Sequence, residues 1–276
     1  MAEPRVVFIT GCSEGGIGAA LVAEFLQNNC IVYASARSLT SMAGLSHKNL
    51  KKLQVDVTSD ESVQAAVTQI YETDGLNIDV LVLNAGVAST LALLDVPLES
   101  AQKVINTNLF GVIRLVNLVA PKMVKRGKGT IVPIGSINGE LPCPFMGMYN
   151  ASKAAVHAYA ETLTNELKPF GVHVMLVSPG AVKSKIASND KISVVPEGSL
   201  YEPYKEKIAK ILYSGQNAKD CMATDKFAKL VVGKALLPNP PQYFTAGGMV
   251  RLFWFLSWLP RPTALNMMWK SLVEKD

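Results

Sequence analysis

The sequence predicts an α/β fold in which a mostly parallel sheet carries helices on both faces. Short apolar runs rich in β-branched residues alternate along the chain with longer segments of helical composition. Parallel sheets with crossover helices produce this order. The first apolar run is followed directly by a glycine-rich turn and then by a helical segment, an arrangement typical of doubly wound, Rossmann-type sheets.

Strands and helices of the first half are assigned from these patterns. Short apolar runs predict strands at residues 6–9, 30–36, 53–55 and 80–83. Apolar side chains at helical spacing predict helices at residues 19–26, 59–71 and about 98–126. Ser59 or Thr58 is the expected N-cap of the second helix, because a hydroxyl there accepts a hydrogen bond from the first helical turn.

The second half continues the alternation and then changes character. Further strands are predicted at residues 129–134, 172–177 and 242–245, the last at the sheet edge. A helix lies between the first two, from near Tyr149 to near Gly171, since glycine is a common C-terminal cap. Residues 185–222 have few strand signals and are predicted to be loop and helix.

Composition fits one domain with a sizeable core. The chain has 276 residues, of which 49% are hydrophobic, and its mean hydropathy is +0.22, so disorder is not expected. The net charge is +5, but the lysines and arginines are scattered, which gives little support for nucleic-acid binding. This mild basicity suits a phosphate-bearing ligand or an anionic membrane surface.

Cysteine and histidine spacing predicts no metal site. The four cysteines form no C-x-x-C pair, and no histidine lies near them at metal-ligand spacing. Such cysteines indicate a reducing, intracellular compartment, and the first strand begins too early for a secretory signal to precede it. No run of about 18 apolar residues without charges is present, so no membrane-spanning helix is expected.

Chemically useful side chains are concentrated between Ser136 and Lys153. Tyr149 and Lys153 are four residues apart, so they share one face of the predicted helix. A free tyrosine has a pKa of about 10 and donates protons poorly at neutral pH, and a nearby ammonium lowers that pKa. The preceding loop brings Ser136 alongside, where its hydroxyl can hold a substrate oxygen. The segment is therefore a candidate acid–base site.

Two further motifs are expected to bind a ligand at the carboxyl edge of the sheet. The turn at residues 10–18 is rich in glycine, so the backbone and the helix N-terminus can approach a pyrophosphate closely. The tripeptide Asn-Ala-Gly at residues 84–86 follows the fourth strand. Gly86 leaves room there for a flat ligand.

Together with Asp56, Asn108 and the Pro-Gly pair at 179–180, these motifs resemble the short-chain dehydrogenase/reductase family. The resemblance covers about residues 5–185. It implies a Rossmann-type oxidoreductase that exchanges hydride between a nicotinamide cofactor and a carbonyl or alcohol. It also implies a homodimer or homotetramer, formed through the helices that carry Asn108 and Tyr149.

The resemblance implies roles for individual residues. Tyr149 matches the general acid, Lys153 the residue that lowers its pKa and binds the nicotinamide ribose, and Ser136 the residue that holds the substrate oxygen. Asn108 matches the residue that holds a water for proton relay toward the lysine. Matches to cofactor-binding positions are Gly11, Ser13, Gly16, Ile17, Gly18, Arg37, Asp56, Val57, Asn84, Ala85, Gly86, Tyr149, Lys153, Pro179, Gly180, Val182 and Ser184.

The residues after the second strand favour NADP(H). NAD-preferring members of the family place an acidic residue at the end of this strand, whereas here Ala36 is followed by Arg37. A guanidinium suits the 2′-phosphate of NADP. One feature of the glycine turn argues against NADP(H). The turn is one residue longer than usual between Gly11 and Gly16, unless Gly15 takes the role of the second glycine, and it contains Glu14. That charge would weaken phosphate binding unless the loop turns it away.

An aromatic, apolar segment is found near the C-terminus. Residues 252–259 are too few to span a bilayer, but Trp and Phe beside Arg251 and Arg261 are typical of an interfacial anchor. The same segment suits a cover over the substrate cleft or a subunit interface, and these alternatives stay open.

One catalytic domain is predicted at residues 1–246. Within it, about residues 1–135 form the cofactor half and about residues 185–225 a substrate loop. Residues 247–276 are assigned to an apolar extension of the same domain.

The longer glycine turn, the Ala-Arg pair and the apolar tail resemble NADPH-dependent 1-acyldihydroxyacetone-phosphate reductases within the family. This implies reduction of a lipid-like ketone in lipid metabolism. The expected location is the cytoplasm, either free or peripheral on the endoplasmic reticulum or lipid droplets. Alternatives are a steroid, retinoid or secondary-metabolite carbonyl as substrate, and a non-catalytic dinucleotide-binding scaffold.

Overall fold

The computed structural model describes residues 3–187 and 194–274. Its main sheet consists of β1 (Val6–Thr10), β2 (Ile31–Ala36), β3 (Leu50–Gln54), β4 (Val80–Leu83), β5 (Gly129–Pro133) and β6 (Val172–Val174). All six strands are parallel, in the order β3-β2-β1-β4-β5-β6. The order reverses between β1 and β4, which confirms the predicted doubly wound sheet.

The strand predicted at residues 172–177 is interrupted at Met175. After β6 the chain forms β7 (Leu176–Pro179), which pairs in parallel with β8 (Tyr243–Ala246). The Gly135 amide donates to the Val177 carbonyl at 2.7 Å. This bond places the β7–β8 pair beside the end of β5. The predicted strand near residues 242–245 therefore lies at the sheet edge, as expected.

Helices cover both faces of the sheet. They are α1 (Ile17–Gln27), α2 (Asp60–Thr68), α3 (Leu98–Ile105), α4 (Gly111–Arg126), α5 (Gly147–Leu167), α6 (Lys205–Ser214), α7 (Thr224–Ala235), α8 (Val250–Ser257) and α9 (Arg261–Trp269). Ser59 is the N-cap of α2, because its Oγ accepts from the Ser62 amide at 3.1 Å. A π-helical turn, Asn106–Phe110, separates α3 from α4, where one continuous helix was predicted.

Two apolar clusters fill the spaces between helices and sheet. On one face, side chains of β1, β4 and β5 such as Phe8 and Leu81 are buried against α2, α4 and α5. On the other face, Ile9 and Phe25 are buried together with Phe227 of α7. Because both faces are covered, the strands are apolar on both sides, which explains their continuous hydrophobic runs.

By length and composition alone, the helical segment 98–126 is long and apolar enough to cross a membrane, contrary to expectation from the sequence. In the structure its apolar side packs on the sheet. Leu115, Val119 and Met123 are fully buried members of the first cluster. Core packing therefore accounts for the hydrophobicity of this segment.

The C-terminal extension folds back onto the domain. Phe253 and Leu256 of α8 and Met268 of α9 are buried in a third apolar cluster. This cluster also contains Leu141 and Phe145, from the loop that precedes α5. The extension is thereby packed beside the segment in which the candidate chemical residues lie.

Candidate active site

One cavity of about 630 Å³ opens at the carboxyl edge of the sheet. The predicted site residues line it with two exceptions, Gly18 and Asn108. Those brought together in its wall are Gly11, Ser13, Gly16, Ile17, Arg37, Asp56, Val57, Asn84, Ala85, Gly86, Ser136, Tyr149, Lys153, Pro179, Gly180, Val182 and Ser184. The cavity lies where the strand order reverses, the position at which ligands bind in doubly wound sheets.

The glycine turn is shaped by close backbone packing. Gly11 has a φ of +73°, and a Cβ at Gly18 would stand 2.3 Å from the Gly11 carbonyl oxygen. Asn84 ties β4 to this turn, since its Nδ2 donates to the carbonyls of Thr10 and Gly11 at 2.9 and 3.0 Å. Gly18 therefore permits the close approach of α1 to β1 without lining the cavity itself.

Tyr149 and Lys153 are both buried beside Ser136. Lys153 Nζ donates to the Ile134 carbonyl at 2.7 Å and lies 5.8 Å from the centre of the Tyr149 ring. Burial lowers the pKa of Lys153 to about 8. Burial raises the pKa of Tyr149, and the Ser136 hydroxyl opposes this only in part. The predicted lowering of the Tyr149 pKa by Lys153 is thus not found, because desolvation of the buried phenol dominates.

Asn108 lies behind the cavity wall, in the π-helical turn between α3 and α4. Its Oδ1 accepts from the Val87 amide at 2.8 Å, and its Nδ2 donates to the Val87 carbonyl at 3.0 Å and to Ser152 Oγ at 2.9 Å. The side chain therefore holds the loop after β4 against α5, the helix that carries Tyr149. The water-holding role implied by the resemblance stays a prediction.

His157 is a site residue that the sequence analysis did not identify. It lies on α5 one turn after Lys153, and its Nε2 accepts from the Ser136 amide at 3.2 Å. A Cβ at Gly135 would stand 2.2 Å from this nitrogen, so the imidazole fills the space under the Ser136 loop. His157 therefore acts as a positioning residue for Ser136, in its neutral form, because Nε2 must be unprotonated to accept.

Folding stability is expected to fall as the pH is lowered below about 6.5, the ordinary pKa of histidine. Burial lowers the pKa of His157, and nearby Lys153 adds to the effect while Glu140 opposes it. Below pH 6.5 the unfolded chain therefore binds more protons than the folded one, until the folded-state pKa is passed. Urea unfolding of the wild type and His157→Gln between pH 7.5 and 5.5 measures this contribution.

In that experiment His157→Gln should lose less stability on acidification than the wild type. His47→Gln, which changes an exposed imidazole, is the matched control and should retain the wild-type dependence. Equal pH dependence in His157→Gln and the wild type would contradict the assignment.

The rim near β2 carries the residues that bear on cofactor choice. Arg37 is exposed at the end of β2 and lines the cavity beside Asp56. Burial alone would raise the pKa of Asp56, but hydrogen bonds from Thr58, together with Arg37 and Arg114, lower it overall. Glu14 also lines the cavity, and its carboxylate accepts from the Gly44 amide. In the longer turn, Glu14 is therefore hydrogen-bonded to the backbone of the loop between β2 and β3.

This wall fits a phosphorylated dinucleotide. Arg37 and Lys153 face the cavity and form no salt bridge with the described residues. Gly86 also lies in this wall, where a Cβ would stand 3.3 Å from Asn108 Oδ1, closer than an ordinary contact. Within residues 3–187 and 194–274, no group of three or more His, Cys, Asp or Glu side chains is placed to hold a metal ion.

The opposite end of the cavity is apolar. The sequence analysis named none of its side chains individually, although it placed a substrate loop at about residues 185–225, where four of them lie. The wall is formed largely by apolar side chains from distant parts of the chain. They are Ile137, Cys143, Met146, Ile186, Ala187, Ile211, Leu212, Met249, Phe253, Met268 and Leu272. The C-terminal extension contributes four of these, so it covers this end of the cavity, one of the alternatives left open above.

Comparison with known proteins agrees with this geometry. The 35% identical short-chain dehydrogenase RED1 of Pyricularia oryzae aligns over 263 residues, 94% of this chain and 91% of that protein. The NADPH-dependent 1-acyldihydroxyacetone phosphate reductase of Schizosaccharomyces pombe is 39% identical over 212 residues, 75% of this chain and 71% of that protein.

Solved structures share the fold. A short-chain dehydrogenase from Streptomyces avermitilis has a TM-score of 0.81 at 24% identity, covering 98% of this chain and 97% of that one. The closed form of a serine dehydrogenase complexed with NADP⁺ has a TM-score of 0.75 at 25% identity, covering 88% and 94%. A family model described as short chain dehydrogenase matches residues 5–193. The chain therefore belongs to the short-chain dehydrogenase family.

Proposed function

We propose that this enzyme, an NADP(H)-dependent oxidoreductase of the family, reduces a ketone to a secondary alcohol on a bulky, lipid-like substrate. The observation that carries the proposal is the two-part cavity. One end has a glycine-lined wall with Arg37 and Lys153, and the other has an apolar wall completed by the C-terminal extension. Tyr149 and Ser136 stand between the two ends.

The proposed chemistry follows from the groups at the junction. NADPH, when bound, supplies the hydride. Tyr149 donates its phenolic proton to the carbonyl oxygen, and its raised pKa keeps that proton in place at neutral pH. Ser136 orients the carbonyl oxygen through its hydroxyl. Lys153 keeps a positive charge near the phenol and stabilises the phenolate that forms.

The value of kcat/KM for ketone reduction is expected to fall above about pH 8. Burial lowers the pKa of Lys153 to about 8, so the free enzyme loses this charge there, whereas Tyr149 stays protonated. A pH–rate profile measures the alkaline limb, because kcat/KM reports ionisations of the free enzyme.

The matched control for this profile is Lys103→Met, which removes an exposed lysine from the rim of the same cavity. It should keep the limb near pH 8. A wild-type profile that stays flat to pH 10 would contradict the assignment to Lys153.

The specific substrate that we propose is 1-acyldihydroxyacetone phosphate. Its ketone suits the junction and its acyl chain suits the apolar wall. The relative of that name in Schizosaccharomyces pombe supports this choice, at 39% identity.

A second candidate is an unphosphorylated carbonyl such as a steroid, a retinoid or a secondary-metabolite ketone. One observation favours it: the wall contributed by α6, α8 and α9 carries no charged side chain in the part of the chain that the structure describes. A phosphate at this end would lack a cationic partner from those helices.

NADPH oxidation with each substrate class separates the two candidates. The purified protein is assayed with 1-acyldihydroxyacetone phosphate and, in parallel, with steroid and retinoid carbonyls. A higher kcat/KM for the acyl phosphate supports the specific proposal. Turnover of the other carbonyls alone would keep the reductase and overturn the acyl phosphate.

A further inference from the structure

The outer side of the C-terminal extension is strongly apolar. We call this outer side the aromatic face. It consists of three residues of α8 and the residue that follows the helix, namely Leu252, Trp254, Phe255 and Trp258. Trp254 is 64% exposed and Trp258 is 74% exposed. Their rings pack edge to face with centres 5.8 Å apart. Exposed apolar surface of this kind marks an interaction site.

Further aliphatic side chains are exposed on the loops beside the extension. Leu94 and Leu200 are 76% and 82% exposed, and their loops are joined by a hydrogen bond from Ser199 Oγ to Asp95 Oδ2 of 2.6 Å. The second loop reaches α9, since the Tyr204 and Trp269 rings lie 6.2 Å apart. Exposed apolar groups thus occur on three segments around the apolar end of the cavity.

The charge of the extension indicates what covers this surface. Its charged residues up to position 273 are Arg251, Arg261 and Lys270, and its two acids, Glu274 and Asp276, lie at the C-terminal end of the sequence, away from α8 in the chain. The guanidinium of Arg261 donates to the Glu140 backbone carbonyl at 2.8 Å. None of the three cations forms a salt bridge with a described residue. The surface therefore combines aromatic side chains with unneutralised positive charge.

A second copy of this chain fits such a surface poorly. In a two-fold interface the same patch meets itself. Along α8 and the turn into α9, this patch carries Arg251 and Arg261 and no carboxylate, so a self-contact of these segments would bring cations against cations. An anionic phospholipid surface supplies the missing negative charge, and its interfacial region accepts tryptophan and phenylalanine.

We propose that the aromatic face docks the enzyme on an anionic phospholipid bilayer, with the apolar end of the cavity next to the membrane. Helices α8 and α9 each direct a side chain into the cavity, and α8 presents its other side to the outside of the protein. Phe253 and Met268 point into the cavity, whereas Trp254 and Trp258 point outward. This rests on the proposed function in one respect, namely that the substrate is apolar enough to reside in the membrane.

Vesicle flotation tests the proposal on the full-length protein without substrate. The probes are vesicles of pure phosphatidylcholine and vesicles that also contain roughly 30% phosphatidylserine. We expect the wild type to float with the anionic vesicles, and the double variant Trp254→Ser/Trp258→Ser to bind them about tenfold or more weakly. Failure of the wild type to float, or wild-type binding by the double variant, would overturn the proposal.

Two controls make the outcome interpretable. Phe170→Ser removes a half-exposed aromatic ring at the amino end of β6, whereas the cavity opens at the carboxyl edge of the sheet, and this variant should float like the wild type. Turnover of a water-soluble ketone by the double variant shows that the fold is intact, since neither tryptophan lines the cavity. Failure of the wild type to turn over any ketone would instead count against the proposed function, whatever the flotation result.

Light scattering tests the alternative that a second copy of this chain, rather than a membrane, covers the aromatic face. If the wild type associates through the aromatic face, the double variant should form smaller oligomers. That result, together with unchanged vesicle binding, would overturn membrane docking in favour of a second copy.

Discussion

Replacing Tyr149 with phenylalanine is expected to lower kcat by about 10²- to 10⁴-fold and to leave NADPH affinity nearly unchanged. The substitution removes the only atom of the side chain that can donate a proton. The ring itself stays, and it is 9% exposed and enclosed by its surroundings, so the cavity keeps its shape. Steady-state kinetics gives the loss in kcat, and fluorescence titration with NADPH gives the affinity.

The matched control is Tyr213→Phe, which removes a phenol from α6 at a position that does not line the cavity. It should retain wild-type turnover. Wild-type turnover in Tyr149→Phe would contradict the assignment of the proton donor. Unchanged cellular function in a catalytically dead Tyr149→Phe variant would favour the scaffold alternative.

Replacing Arg37 with aspartate is expected to raise KM for NADPH by about 10- to 100-fold, with little loss for NADH. A hydrogen bond to a charged group contributes about 1.5–3 kcal/mol, and aspartate adds repulsion of the 2′-phosphate. Arg37 is free to make such a contact, because it lies exposed on the cavity rim. Parallel kinetics with NADPH and NADH measure the change in preference.

Glu14→Gln is the companion variant for that measurement. The amide keeps an oxygen for the Gly44 N–H bond and removes the negative charge from the rim. We expect NADPH binding to improve by less than about tenfold, because the carboxylate is already engaged by the Gly44 amide. A strong NADH preference in the wild type, relieved by Glu14→Gln, would contradict the assignment of Arg37.

Local sequence patterns were sufficient to predict most of the sheet. β1 and β4 are fully buried apolar strands, and their boundaries in the structure agree with the predicted runs within one residue. The interruption at Met175 was not predictable, because the residues on both sides of it are equally apolar. The break depends on β7 pairing with β8, a contact with a segment more than 60 residues away.

The turn between α3 and α4 is a helix interruption that local sequence patterns likewise could not predict. Residues 98–126 have continuous helical periodicity, so one helix was predicted. The π-helical turn occurs where Asn108 bonds to Val87 and Ser152. Long-range hydrogen bonds of this kind decide local geometry and leave no signal in the pattern of apolar residues.

The cofactor end of the site was predictable residue by residue, whereas at the substrate end only the loop at about residues 185–225 was predicted and no individual side chain. The glycine turn, the 84–86 tripeptide and the Tyr149–Lys153 pair are local motifs with fixed spacing. His157 and Phe253 reach the site only through tertiary packing, and an apolar residue on an amphipathic helix has the same appearance whether it faces a core or a cavity. Oligomeric state and cellular location stay predictions, for which light scattering and cell fractionation are the measurements.

Deuterium transfer from NADPH labelled at C4 of the nicotinamide tests the central claim most directly. The purified enzyme is incubated with the labelled cofactor and 1-acyldihydroxyacetone phosphate or an apolar ketone, and the product is analysed by mass spectrometry. The account predicts one deuterium on the carbinol carbon, and about a hundredfold or more slower formation of labelled product with Tyr149→Phe. Tight NADPH binding without label transfer to any ketone would contradict a reductase and leave the dinucleotide-binding scaffold as the explanation.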